Sequence, residues 1–194
     1  MTLCLDPTTV KEIREAASRG LSDGVKTIPS LVVKEGRNFH EALVEICQPV
    51  NGPVRAEVVS AEESAMVKEG RELGKIRIAK VPLIAEGLKA TKRLVSEGIK
   101  VNVPLCFSPT QALLAAKAGA WCVSPFIGRL DDISSNGMES IRQIVTIHKT
   151  YDFKAFVLVA RVCHPQHVAE AAVAISVPCP FRFSSNWSNT HWPI

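Results

Sequence analysis

Seven times along the chain, a short run rich in β-branched residues is followed by a longer segment with apolar residues at helical spacing, and an eighth strand-like run closes the series. The strand-like runs are Leu3–Asp6, Val25–Ile28, Val54–Val59, Ile76–Val81, Lys100–Val103, Ala120–Ser124, Ala155–Ala160 and Ile175–Val177. Between them lie helical patterns. The first carries Val10, Ile13 and Ala17 behind a Thr8 or Thr9 cap, and the second spans Phe39 to Ile46. The others run from Ser60 to Leu73, Ala85 to Gly98, Thr110 to Ala118, Met138 to His148 and Gln166 to Ala174. Strands joined through helices cannot form hairpins, so the sheet is expected to be parallel. Eight such units closing on themselves predict an α/β fold, a single (β/α)8 barrel over 1–183 with a shortened C-terminal end and an irregular tail over 184–194. The alternative is an open doubly wound sheet. That fold usually carries a glycine-rich loop after its first strand, and Asp6-Pro7-Thr8-Thr9 is not one.

A chain of 194 residues suits one domain with a sizeable core. Its net charge of +4 is mild, and basic residues alternate with acidic ones, as in Lys68-Glu69-Gly70-Arg71-Glu72. Such a balance argues against a nucleic-acid partner and suits a small anionic substrate. No charged leader and no run of membrane-spanning length is evident, so a cytoplasmic protein without a membrane partner is expected. The six cysteines stand singly, without the spacing of a zinc site, and are expected to be buried thiols; no metal site is predicted.

In a barrel of this kind chemistry lies at the C-terminal ends of the strands. Those ends and the loops after them collect Asp6, Thr27, Glu57, Lys80, Asn102, Ser124, Phe126 and Arg129. Lys80 ends the fourth strand. It either snorkels to solvent or stays buried, and burial would make its amine nucleophilic near neutral pH. Two carboxylates beside an amine, with an arginine for an anion, describe a candidate site.

With these residues in view, the sequence resembles the small-subunit branch of the transaldolase/fructose-6-phosphate aldolase family. The resemblance rests on Leu5-Asp6, the run from Asp23 to Leu31, Ala56-Glu57-Val58, Lys80-Val81-Pro82, Phe107-Ser108 with Gln111 to Ala120, and Ser124 to Asp132. It implies that Lys80 forms a Schiff base with a ketose phosphate, that Asp6 takes the hydroxyl proton as the carbon–carbon bond breaks, and that Glu57 moves protons through a water. Thr27, Asn102, Ser124 and Phe126 would contact the substrate, and Arg129 its phosphate. No cofactor and no metal is implied, the partners are sugar phosphates, and a homo-oligomer is expected. Glu57 and Phe126 stand where the aldolase sister tends to have glutamine and tyrosine, which favours transaldolase over simple cleavage.

The chain departs from the family pattern at Ile28, Pro104, Arg161 and Cys163, where asparagine, threonine, serine and arginine are usual. Arg161 could supply a phosphate-binding cation from the neighbouring position. A barrel that binds sugar phosphates with little turnover, as a structural or regulatory subunit, is therefore a further expectation.

Overall fold

The computed structural model describes residues 2–5, 24–26, 54–76, 78–174 and 181–185, with side chains over 54–75 and 78–173. Eight strands form a closed barrel in sequence order, every neighbouring pair parallel. They are β1 (Thr2–Leu5), β2 (Gly24–Lys26), β3 (Val54–Glu57), β4 (Ile78–Lys80), β5 (Val101–Cys106), β6 (Cys122–Pro125), β7 (Phe156–Val162) and β8 (Phe181–Ser185). The helices among the described residues are α1 (Glu63–Ile76), α2 (Ala85–Ser96), α3 (Pro109–Lys117), α4 (Ile127–Asp131), α5 (Gly137–Thr150) and α6 (Pro165–Ala174). None is long and apolar enough to cross a membrane.

The period-two alternation of each strand sorts its side chains onto two faces. Val54, Ala56, Val58, Ala79, Val81, Val101, Val103, Val123, Val157 and Val159 face outward and pack with Met66, Leu94, Ala112, Ala115, Ile141 and Ile144 of the surrounding helices. Each fully buried side chain of Val to Met size is worth about 1.5–3 kcal/mol, so this layer between barrel and helices dominates the stability. The alternate residues, Arg55, Glu57, Ile78, Lys80, Asn102, Cys122, Ser124 and Leu158, turn toward the barrel axis. At the lower end Cys122 and Leu158 cluster with Trp121 and Phe156, closing the lumen with apolar atoms.

Local chemistry starts and stops the helices where the barrel needs them. Ser108 accepts a hydrogen bond from the Gln111 N–H at 3.2 Å, with Pro109 at the first helical position, while Gln111 Oε1 accepts from Phe107 N at 2.7 Å. Asn136 caps α5 by accepting from Glu139 N at 2.9 Å. Gly98 and Gly119 follow α2 and α3 with φ of 82° and 90°, the left-handed exit that glycine takes without a Cβ penalty.

Three expectations change. Ile76 is the last residue of α1 rather than the start of β4. A β-branched residue at a boundary fits either state, and here the helix hydrogen-bond ladder extends to it. The eighth barrel strand is Phe181–Ser185, so Ser184 and Ser185 belong to the barrel and not to a tail; β8 pairs with both β7 and β1. Phe181-Arg182-Phe183 alternates apolar and polar residues after Pro180, which is a strand signal, whereas the expected Ile175–Val177 lies outside the described residues. The short helix α4, absent from the periodicity reading, follows β6 directly.

His148 on α5 is 1% exposed, and its Nδ1–H donates to the Ala155 carbonyl at 3.1 Å, which leaves Nε2 buried with no partner among the described residues. Burial pushes its pKa below the ordinary value, and the bond to Ala155 offsets this only in part. Above about pH 6.5 both folded and unfolded forms are neutral and the group contributes nothing. As pH falls below that, the unfolded chain binds a proton that the folded ring resists, so stability is lost, by at most about 1.4 kcal/mol per pH unit per group. His167 is shifted the same way. The urea midpoint is expected to be lower at pH 5.5 than at pH 7.5, and His148→Gln, which keeps an N–H for Ala155, to flatten part of that slope.

Candidate active site

Strand register places the central residues in one layer of the lumen. Glu57 on β3 pairs with Lys80 on β4, and Lys80 with Asn102 on β5. Backbone bonds on both sides hold the lysine in place: Val58 N donates to Lys80 O, and Val81 N to Asn102 O, each at 3.0 Å. Lys80 is 2% exposed. The snorkelling alternative therefore fails, because the strand face turns the side chain inward and the lumen gives it a carboxylate. Lys80 Nζ donates to Glu57 Oε2 at 2.7 Å.

Glu57 is the more solvated partner, its side chain 26% exposed. An amine pinned in the lumen thus faces a carboxylate that still reaches water, the arrangement needed to pass protons between a buried nitrogen and solvent. The loop after Glu57 is anchored by Glu69, which accepts from the backbone N–H groups of Val59 and Ser60 and from the Ser60 hydroxyl. Burial raises the Glu69 pKa, but these three donors outweigh it and the net shift is downward.

On the opposite side of the amine, Ser124 Oγ donates to Asn102 Oδ1 at 2.9 Å, both residues being fully buried. With its oxygen so engaged, Asn102 leaves Nδ2 buried and without a partner among the described residues. A buried amide donor without an acceptor costs about 1–3 kcal/mol, and a ligand oxygen would satisfy it.

Other sequence-derived candidates stand at the rim. Phe126 is half-buried at the end of β6, its N–H bonded to Cys106 O at 3.0 Å and its ring edge-on to Phe107 at 6.0 Å between centroids. Arg129 on α4 is exposed and pairs with Asp132 at 3.2 Å, a surface contact worth less than about 1 kcal/mol that a phosphate could displace. Arg161 on β7 is also exposed and takes φ of 60° where the register with β8 shifts. The shift re-aims the strand, so Cys163 is exposed rather than buried as expected. Cys106 and Cys122 are buried, and burial pushes the Cys106 thiol up to about 11, which leaves it inert. Pro104 is buried in β5. Asp6, Thr27, Ile28, Cys47 and Cys179 lie outside the described residues, as does the side chain of Cys4.

Two features escaped sequence reading. Arg55, two residues before Glu57 on the same strand face, is wholly buried; strict strand alternation was the available signal. His167 is held by Asp131 Oδ2 at Nε2 (3.0 Å) and by Cys163 N at Nδ1 (3.4 Å), and it stacks on His164 at 3.6 Å. Burial and the adjacent His164 lower its pKa more than Asp131 and Glu170 raise it. Among the described residues no group of three or more His, Cys, Asp and Glu is placed to hold a metal ion.

Comparison with known proteins adds an independent line. A family model described as transaldolase/fructose-6-phosphate aldolase matches residues 3–191. A "Probable transaldolase" of Bdellovibrio bacteriovorus is 47% identical over 197 residues, covering 100% of this chain and 92% of that protein. Proteins of the same name from Sorangium cellulosum and Anaeromyxobacter dehalogenans are 53% and 55% identical, covering 89% of this chain and 82% and 81% of theirs. A solved structure titled "Native KDPGal structure" superposes with a TM-score of 0.55 over 94% of this chain and 81% of its own, at 16% identity, a likeness of fold alone.

Proposed function

Because the chain belongs to the transaldolase/fructose-6-phosphate aldolase family, we propose that it is a transaldolase that moves a dihydroxyacetone unit from a ketose phosphate to an aldose phosphate through a Schiff base on Lys80. The observation that carries this reading is the buried Lys80 amine held 2.7 Å from the Glu57 carboxylate, near Asn102, whose Nδ2 has no partner among the described residues.

The chemistry follows from these positions. Neutral Lys80 Nζ adds to the C2 carbonyl of fructose 6-phosphate or sedoheptulose 7-phosphate. Glu57, through a water, passes a proton to the carbinolamine oxygen, which leaves as water and gives the protonated imine. Asp6 then takes the C4 hydroxyl proton as the C3–C4 bond breaks; the electron pair flows into the iminium, and an aldose phosphate departs. The enamine left on Lys80 attacks the acceptor aldehyde through the reverse of these steps, and water frees the product. Asn102 Nδ2 and Ser124 bind substrate hydroxyls, Thr27 contributes from β2's end, and Arg129 with Arg161 binds phosphate. The iminium is itself the electron sink, so this sequence of steps calls on no cofactor. Phe126 beside Phe107 gives the mouth an apolar wall that favours transfer over hydrolysis.

A low-turnover sugar-phosphate-binding barrel is the competing reading, favoured by Pro104, which offers no hydroxyl from β5. A loss of about 3 kcal/mol of transition-state stabilisation would slow turnover more than a hundredfold. Borohydride reduction with fructose 6-phosphate, followed by mass spectrometry of the Lys80 peptide, separates the two. A dihydroxyacetone adduct is expected, and its absence on folded protein refutes the enzyme reading. Adding erythrose 4-phosphate and following glyceraldehyde 3-phosphate release then tells transfer from cleavage, the fructose-6-phosphate aldolase alternative. A cytoplasmic homo-oligomer belongs to the same proposal.

A further inference from the structure

Arg129 stands on α4, a helix of five residues. So short a helix is not stable alone, and what it packs on sets its direction. Its Ile127 and Leu130 are buried, and two glycines let backbone close on it from either side. A Cβ on Gly128 would lie 2.5 Å from both the Arg161 carbonyl oxygen and Cys163 Sγ, at the end of β7. One on Gly137, where α5 begins, would lie 2.6 Å from the Ile127 carbonyl oxygen. The backbone next to Arg129 is thus pressed against that of Arg161.

Polar bonds join the same elements. Cys163 N donates to His167 Nδ1 at 3.4 Å, so Nδ1 carries no proton and the neutral ring has its proton on Nε2. Nε2–H donates to Asp131 Oδ2 at 3.0 Å, and Asp131 Oδ1 accepts from Gly137 N at 3.0 Å. His167 is 6% exposed, and burying a polar ring costs free energy that these bonds offset. The chain of bonds runs from the turn after β7, through α6, to α4 and on to the start of α5.

We infer that His167, acting through Asp131, is a positioning residue for phosphate recognition: it locks α4 to the end of β7 and so holds the segments that carry Arg129 and Arg161 against each other at the rim. The inference rests on the reading of these two arginines as phosphate ligands. Asp131 cannot be replaced by its amide without loss, because the one oxygen of Asn can accept from Gly137 N or from His167 Nε2 but not from both.

Borohydride trapping at Lys80 tests this with two ligands that give an imine on the same amine, fructose 6-phosphate and dihydroxyacetone, which has no phosphate. His167→Phe keeps a ring against His164 and removes both bonds. It is expected to raise the fructose 6-phosphate concentration for half-maximal trapping by about tenfold or more, the equivalent of one charge-assisted hydrogen bond, and to leave the dihydroxyacetone value within about twofold. His167→Gln, which keeps an N–H for Asp131, should recover most of the loss. In an Arg129→Met background, where the phosphate contact is already gone, His167→Phe should add less than about twofold. A folded His167→Phe with the parent's fructose 6-phosphate value overturns the inference, and so does an equal loss with dihydroxyacetone, the result a merely structural histidine would give. If His167→Phe does not fold, Asp131→Asn is judged by the same ratio. Trapping of neither ligand in the parent counts against the transaldolase reading, and titration calorimetry with fructose 6-phosphate then decides the inference on the same variants. Weaker binding to His167→Phe supports it; equal binding, or none to the parent, overturns it.

Discussion

Lys80→Met is expected to remove the borohydride-trapped adduct and to lower transfer by at least roughly a thousandfold, because among the described residues the layer of Glu57, Lys80 and Asn102 holds no second amine for the covalent route. Methionine is close to lysine in length and fills the lumen without a new cavity. What remains is Glu57 without its partner. Losing one member of a fully buried pair costs about 3–5 kcal/mol, but the Glu57 side chain is 26% exposed and water can take over the solvation of its carboxylate. The loss of stability should therefore be small beside the loss of activity, with Tm falling by only a few degrees. Glu57→Gln separates the roles further. It keeps a hydrogen-bonding carbonyl for Lys80 but removes the proton acceptor, so a decrease of roughly 10²-fold or more is expected in imine formation, with the adduct still trappable at long times. Transfer by Lys80→Met above a tenth of the parent rate would refute the Schiff-base role.

The barrel was legible because its signal is repeated. Outward valines at Val54, Val101, Val123 and Val157 and the helical stripes between them agree about one core, and an error at any single element leaves the topology intact. The lysine's layer was legible for a related reason, since Glu57, Lys80 and Asn102 each lie near a strand's C-terminal end and parallel register aligns such ends. The misreadings fall where the pattern is interrupted. β5 and β7 carry left-handed residues, Leu105 and Arg161, at their register shifts, and alternation cannot be counted across them. Cys163, expected to be buried because it stands singly like the other cysteines, lies outside beyond the second of these shifts. Helix α4 has five residues, too few for a helical period. Arg55 escaped for a different reason. A charged residue mid-strand reads as solvent-facing until the strand is known to close a barrel, and then the same parity puts it in the lumen.

Gly87→Ala is the change to the scaffold expected to cost most, and two effects oppose each other there. Gly87 sits in the first turn of α2, where alanine is the better helix former by about 1 kcal/mol. A Cβ at this position, however, overlaps the Pro82 carbonyl oxygen and lies 3.1 Å from the Pro82 carbonyl carbon. That oxygen is not free to swing away, because it accepts the Ile84 N–H at 3.0 Å. Backbone must move, so the overlap outweighs the propensity gain, and a net loss of roughly 3 kcal/mol or more is expected, a fall in Tm of about 6–12 °C for a domain of this size. The movement reaches the site, since Pro82 is two residues from Lys80. A displacement of the amine by about 1 Å would cost on the order of 10²-fold in rate. Gly98→Ala is the control: its φ of 82° strains alanine by about 1–2 kcal/mol, but nothing lies within 4 Å of the added carbon. It should melt slightly earlier and keep full activity. Calorimetry and the trapping rate at Lys80 check both variants together. A Gly87→Ala protein that melts with the parent would show that Pro82 and the start of α2 yield independently of the strand that carries the lysine.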